Sequence, residues 1–148
     1  MSVCHIKGGY SMYQHILLAV DGSENALRAA KEAVKIASND SLIEMVYVAD
    51  FEKAKTEVLH ATSSESLLLE RKRKVAPIEE VLRAADKQFK LTILHGTPGP
   101  EIVKYANENK VDIVVIGSRG LNGLQEMVLG SVSHKVMKRV QCPALIVK

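Results

Sequence analysis

The sequence predicts an α/β fold: a Rossmann-like, doubly wound sandwich in which a five-stranded, mostly parallel sheet carries helices on both faces. Three observations predict it. Short aliphatic and β-branched runs alternate with longer amphipathic stretches from Tyr13 to the C-terminus. Those runs are continuously apolar, the pattern of parallel strands covered on both sides. The chain has 148 residues, enough for one core of ordinary size and too few for two.

The elements follow in order. Ile16 to Val20 reads as a buried strand. Ser23 to Ser38 reads as a helix, with Ser23 as N-cap and Ala26, Leu27, Ala30, Ala33, Val34 and Ala37 on one stripe. Leu42 to Ala49 is the second strand. From Asp50 to Phe89 the chain is polar and amphipathic, and Leu67, Leu68, Val75, Ile78, Val81, Leu82, Ala85 and Phe89 keep a helical spacing that Pro77 must kink or restart. Leu91 to His95 is a strand, Glu101 to Asn109 a helix, Val111 to Ile116 a strand, Ser131 to Val140 a helix and Ala144 to Val147 a last strand. Residues 1–12 have no period and read as a disordered tail ahead of a single domain, 13–148. Lys7-Gly8-Gly9 can be encoded by a purine-rich stretch resembling a ribosome-binding site, which predicts a native start at Met12.

Composition narrows the function. Hydrophobic residues are 47% and charged residues 25%, as in soluble globular proteins. No apolar run reaches the roughly 20 residues of a membrane span, and no secretory h-region is present, so a cytoplasmic protein is expected. Cys4 and Cys142 fit neither a disulfide framework nor a metal or redox pair. The net charge is +3, and the densest basic cluster, Arg71 to Lys74, reads as a solvated helix face because no aromatic platform accompanies it; nucleic acid is not an expected partner. The five histidines form no zinc spacing, and no GxSxG elbow or evident general base occurs.

A doubly wound sheet binds ligands at the carboxyl ends of its strands. The segments there are Asp21-Gly22-Ser23, Asp50, Gly96-Thr97-Pro98-Gly99-Pro100 and Gly117-Ser118-Arg119-Gly120. The last leads through Leu121-Asn122-Gly123 to Gly130-Ser131-Val132-Ser133 at a helix start. Glycines there let the backbone approach a bound group, helix N–H groups attract an anion, Ser131 and Ser133 supply hydroxyls, and Arg119 supplies a cation. The pattern is a phosphate cradle, though neither GxxxxGK[ST] nor GxGxxG is present.

The spacing Gly117-x2-Gly120-x9-Gly130-Ser131 resembles the G-x2-G-x9-G-[ST] motif of nucleotide-binding universal stress proteins. The resemblance runs from Tyr13 to Lys148 and takes in Ala19-Val20-Asp21-Gly22-Ser23, Val46-Tyr47-Val48-Ala49-Asp50, Gly96-Thr97-Pro98, Val111 to Gly120, and Cys142-Pro143-Ala144-Leu145-Ile146-Val147. It implies an ATP-binding domain that forms a homodimer through its last strand, Ala144 to Val147. It also implies that Asp21 approaches the ribose and adenine, and that Ala19 and Val48 touch the adenine. Gly117, Arg119, Gly120, Gly130, Ser131, Val132 and Ser133 would hold the ribose and phosphates. ADP and AMP are alternative ligands, and Mg²⁺ or Mn²⁺ could accompany the phosphates beside Asp21 or Asp50.

Three functions remain open on these residues. The first is a regulatory stress-response module whose nucleotide state tunes a protein partner. The second is an enzyme with at most weak ATP hydrolysis, or a nucleotidyl-transfer relative. The third is a docking protein that uses Phe51 to Lys74 and holds nucleotide only as structure. The complete glycine motif favours the first.

Overall fold

The computed structural model describes residues 13–49, 64–118 and 129–148. Its elements are β1 (His15–Val20), α1 (Glu24–Ile36), β2 (Leu42–Ala49), α2 (Ser64–Ala84), β3 (Gln88–His95), α3 (Pro98–Glu108), β4 (Ile113–Gly117), α4 (Ser131–Arg139) and β5 (Ala144–Val147). The strands form one five-stranded sheet in the order β3-β2-β1-β4-β5, and every pairing is parallel.

Alternation along β1 divides the core between the two faces. Ile16, Leu18 and Val20 pack with α1 alanines and with Val75, Ile78 and Leu82 of α2, whereas Leu17 and Ala19 pack with Ile102 and Ala106 of α3 and Val136 of α4. The alanine stripe Ala26, Ala29, Ala30 and Ala33 lets α1 lie close to the sheet.

Several boundaries differ from the sequence reading, each for a non-local reason. Phe89 belongs to β3 and not to the preceding helix, because it pairs with Ile43 across eight matched positions of β2 and β3. The left-handed backbone at Asp86 (φ 56°) ends the helical run before it. Helix α2 passes through Pro77 as one element; Pro77 is exposed, where solvent can take up the carbonyl that a proline leaves unpaired. Helix α3 starts at Pro98 and not at Glu101, since a proline in the first turn follows the Thr97 cap. Strand β4 starts at Ile113 because Asp112 turns its carboxylate to the Gln14 and His15 amides, at 2.9 and 2.8 Å. Helix α1 stops at Ile36, short of Ser38, whose amide is held by Ser41 Oγ at 2.9 Å.

Among the described residues, one charged side chain is fully buried in the sheet. Glu44 of β2 takes hydrogen bonds from Thr92 Oγ1 (2.5 Å) and the Tyr105 hydroxyl, with His15 Nε2 at 2.7 Å and Lys90 Nζ at 3.8 Å. Burial pushes its carboxyl up, but the Thr92, Tyr105 and His15 hydrogen bonds and the Lys90 charge outweigh it and hold it below its ordinary value. Tyr105 stands on α3, so this carboxylate also ties that helix to the sheet.

Candidate functional site

The chain leaves β1 toward β2 and β3 on one side, then crosses to β4 and β5 on the other. Between β1 and β4 the connections diverge, and such a switch point opens a crevice at the carboxyl ends. A cleft of about 520 Å³ lies there.

Its floor is apolar, made by Ala19 of β1, Val46 and Val48 of β2, Ile116 of β4 and Ile102 of α3. One wall is the turn after β1. Asp21 Oδ1 accepts the Ser23 amide at 2.9 Å, Gly22 takes a φ of 82°, and Ser23 Oγ caps α1 by accepting from the Ala26 amide at 3.2 Å. One Asp21 oxygen is thus committed to the turn, and the side chain is exposed at the cleft.

The other wall is the start of α4. The Gly130 amide donates to the Ser118 carbonyl at 3.1 Å and the Ser118 amide to the Val147 carbonyl at 2.7 Å, so the two ends of the glycine segment are pinned together beside β5. Gly130, not Ser131, is the N-cap, and the first amide to find a partner in the helix is that of His134, on the Gly130 carbonyl at 2.9 Å. Among the described residues, the amides of Ser131, Val132 and Ser133 have no hydrogen-bond acceptor, and all three residues line the cleft. Those donors and the helix dipole make an anion-accepting corner.

The structure brings Ala19, Asp21, Val48, Gly117, Gly130, Ser131, Val132 and Ser133 to one cleft. Two of them play unexpected parts. The Ser133 hydroxyl, almost fully buried, donates to the Gly130 carbonyl at 3.0 Å, so its proton is spent inside the turn and not offered as a free donor. Gly117 sits against α1: a Cβ there would lie 2.7 Å from Asn25 Cβ and 2.9 Å from the Asn25 backbone carbon and oxygen. Its lack of a side chain is required by helix packing before any ligand is considered. Arg119, Gly120, Asp50, segment 51–63, the tail 1–12 and the Leu67 side chain lie outside the described residues. His134 is exposed on α4 and is not part of the cleft lining.

Sequence reasoning missed Asn25, Arg71, Lys74 and Lys135. Arg71 and Lys74 are not simply a solvated face; they line the cleft, while Lys72 and Arg73 between them are exposed. The signal was available, because Arg71 lies four residues before Val75 and Lys74 four before Ile78, on the stripe that enters the core. Among the described residues the lining carries the cationic side chains of Arg71, Lys74 and Lys135 and the one carboxylate of Asp21.

Other chemistry finds less support. Among the described residues no group of three or more His, Cys, Asp or Glu side chains could hold a metal. No described helix is long and apolar enough to cross a membrane. Burial pushes the Cys142 thiol up, against the trend of a reactive cysteine.

Comparison with known proteins agrees with this architecture. The sequence model of the universal stress protein family matches residues 12–148. The chain is 33% identical to universal stress protein MJ0531 of Methanocaldococcus jannaschii, over 97% of this chain and 86% of that protein. It is 34% identical to universal stress protein YxiE of Bacillus subtilis, over 93% of this chain and all of that one. The solved structure of MJ0577, also from M. jannaschii, superposes with a TM-score of 0.75 at 32% identity, covering 93% of this chain and 96% of that chain. A universal stress protein crystallised in complex with cAMP superposes with a TM-score of 0.66 at 25% identity, covering 91% and 96%. By the span of the family match and the identity of its relatives, this chain belongs to the universal stress protein family.

Proposed function

We propose that this protein binds an adenine nucleotide, ATP foremost and ADP or AMP as alternatives, in the cleft at the switch point. The nucleotide state of a cytoplasmic homodimer would then tune its contact with a protein partner. The observation that carries the reading is the convergence of the first and last glycines of G-x2-G-x9-G-[ST]: Gly117 and Gly130, with Ser131, line one cleft beside three amides with no described acceptor. The apolar floor of Ala19, Val46 and Val48 suits a purine, the start of α4 suits phosphate, and Asp21 keeps one carboxylate oxygen for a ribose hydroxyl. A relative at 25% identity was crystallised with cAMP, which supports the same ligand class. Arg119 and Gly120 complete the proposed phosphate loop.

A divalent cation, Mg²⁺ or Mn²⁺, fits only as a companion of the phosphates. Asp21 is the single carboxylate in the described lining, and a hard cation held by one carboxylate needs phosphate oxygens for the rest of its shell. The homodimer reading rests on β5, a sheet edge whose residues are half-buried and whose outer backbone groups pair with no described strand.

The test uses the composition. With no Trp and four Tyr, the protein absorbs weakly near 280 nm, so bound adenine dominates its spectrum. Protein purified without added nucleotide is expected to show excess absorbance at 260 nm and to release a stoichiometric adenine nucleotide on heating. A spectrum of protein alone, with no thermal shift on adding Mg-ATP, overturns the reading.

A further inference from the structure

Asn25 holds the second position of α1, is only 7% exposed, and lines the cleft. The two ends of its side-chain amide face different surroundings. The Arg28 guanidinium donates to Asn25 Oδ1, and a guanidinium has no acceptor, so this contact fixes which end is the oxygen. Arg28 is exposed and outside the cleft lining, so the oxygen end is turned away from the cleft. The NH₂ at the other end has no acceptor among the described residues. No described side-chain polar atom is both sealed from solvent and without a partner, so this NH₂ reaches an open surface, and the surface that Asn25 lines is the cleft. A nearly buried amide with one donor unspent costs stability until a ligand takes it up.

The strands set this donor opposite one part of a nucleotide. Strands β1 and β4 pair as far as Leu18 and Val115, and the crevice opens beyond that pair, where Asn25 lies against Gly117. The apolar floor that suits the purine lies to one side, on β1 and β2. The free amides that suit phosphate lie to the other. The Ser118 amide on the Val147 carbonyl and the Gly130 amide on the Ser118 carbonyl hold the start of α4 on the β5 side of β4. A sugar joins base to phosphate, so it must cross the boundary between β1 and β4. We propose that the Asn25 side-chain NH₂ donates to a hydroxyl oxygen of that sugar, which makes Asn25 a specificity-determining residue for ribonucleotides. This inference rests on the nucleotide reading above and assigns a contact within it. The free Asp21 oxygen, four residues earlier, accepts a hydroxyl proton, and Asn25 supplies the donor that hydroxyl lone pairs need. A site built to hydrogen-bond a hydroxyl rejects the analogue lacking it, because its own polar groups are then left unpaired.

The experiment is titration calorimetry of nucleotide-free protein with ATP, 2′-deoxy-ATP and 3′-deoxy-ATP, on the wild-type chain and on Asn25→Ala. Alanine keeps the Cβ and backbone atoms that lie against Gly117 and suits a helix, so the variant removes the amide and little else. The wild-type chain is expected to bind ATP about fivefold more tightly than at least one of the deoxy forms. Asn25→Ala is expected to weaken ATP about fivefold while that deoxy form changes less than about twofold, the loss of one hydrogen bond that only the hydroxyl could make. Equal weakening of all three ligands overturns the inference, since a purely structural loss does not depend on a sugar oxygen; an unchanged ATP affinity overturns it too. A wild-type chain that binds all three equally also overturns it and leaves the nucleotide reading standing; one that binds none overturns that reading itself.

Discussion

Replacing Gly117 by alanine separates packing from ligand binding at the first glycine of the motif. The new Cβ would meet Asn25 Cβ at 2.7 Å and the Asn25 backbone carbon and oxygen at 2.9 Å. Carbon contacts are relaxed at about 3.5–4.0 Å, so the shortfall is roughly 1 Å against three atoms at once. Two are backbone atoms in the first turn of α1, held by the Ser23 cap through Ala26 at 3.2 Å and Leu27 at 3.3 Å. Relief therefore requires moving α1 off β4, an overpacking cost of about 1–3 kcal/mol. At about 3 °C per kcal/mol for a chain of this size, the midpoint of thermal unfolding should fall roughly 3–9 °C. The assay is thermal and urea unfolding of nucleotide-stripped protein, because the loss must appear without ligand. Gly99→Ala is the contrasting variant. Its Cβ meets the far end of a flexible side chain, Lys135 Cδ at 2.9 Å, so stability should stay within about 1 kcal/mol of wild type while anion binding weakens as Lys135 is displaced. If Gly117→Ala unfolds like wild type when stripped and loses only nucleotide affinity, the packing argument is wrong and the glycine serves the ligand alone.

The buried carboxylate supplies an acid-stability prediction. Glu44 titrates lower in the native state than in the unfolded chain, so the unfolded chain binds more protons as pH falls. Its stabilisation is full above the ordinary carboxylate range and is lost as pH drops through the lower native value. Glu44→Gln should cost about 2–3 kcal/mol at neutral pH, since an amide NH₂ would face donors now aimed at the carboxylate, and should flatten the acid limb of stability. Urea midpoints from pH 7 down to pH 3 read this, and an unchanged acid limb in Glu44→Gln refutes it. For assembly, sedimentation at micromolar concentration should give the mass of two chains, through β5 pairing with its two-fold mate; a species of one chain's mass removes the dimer from the proposal.

The sequence by itself determined the number and order of the strands and the turn that follows β1. The continuous apolar runs at Ile16 to Val20 and Leu42 to Ala49, Ser23 as a cap, and the β1 turn at Asp21-Gly22-Ser23 are local features, written in the period of side chains and in the backbone preferences of Ser, Asp and Gly. Because a doubly wound sheet binds at its carboxyl ends, those local features also pointed to the segments at Asp21, Gly117 and Gly130-Ser131, whereas Ala19 and Val48 were implied only by the family resemblance. Tertiary structure decided what depends on partners distant in sequence. Phe89 keeps helical spacing with Leu82 and Ala85, yet it is a strand residue because β2 offers a ladder partner in Ile43. Glu44 looks like an interruption of an apolar run until Thr92, Tyr105 and His15 arrive around it from β3, α3 and β1. Gly117 reads as room for a ligand, and only the approach of α1 shows that Asn25 occupies that room. Arg71 and Lys74 share a composition with Lys72 and Arg73. What divides the pairs is the angle at which Val75 and Ile78 seat α2 on the sheet, and that angle exists only once the core has packed.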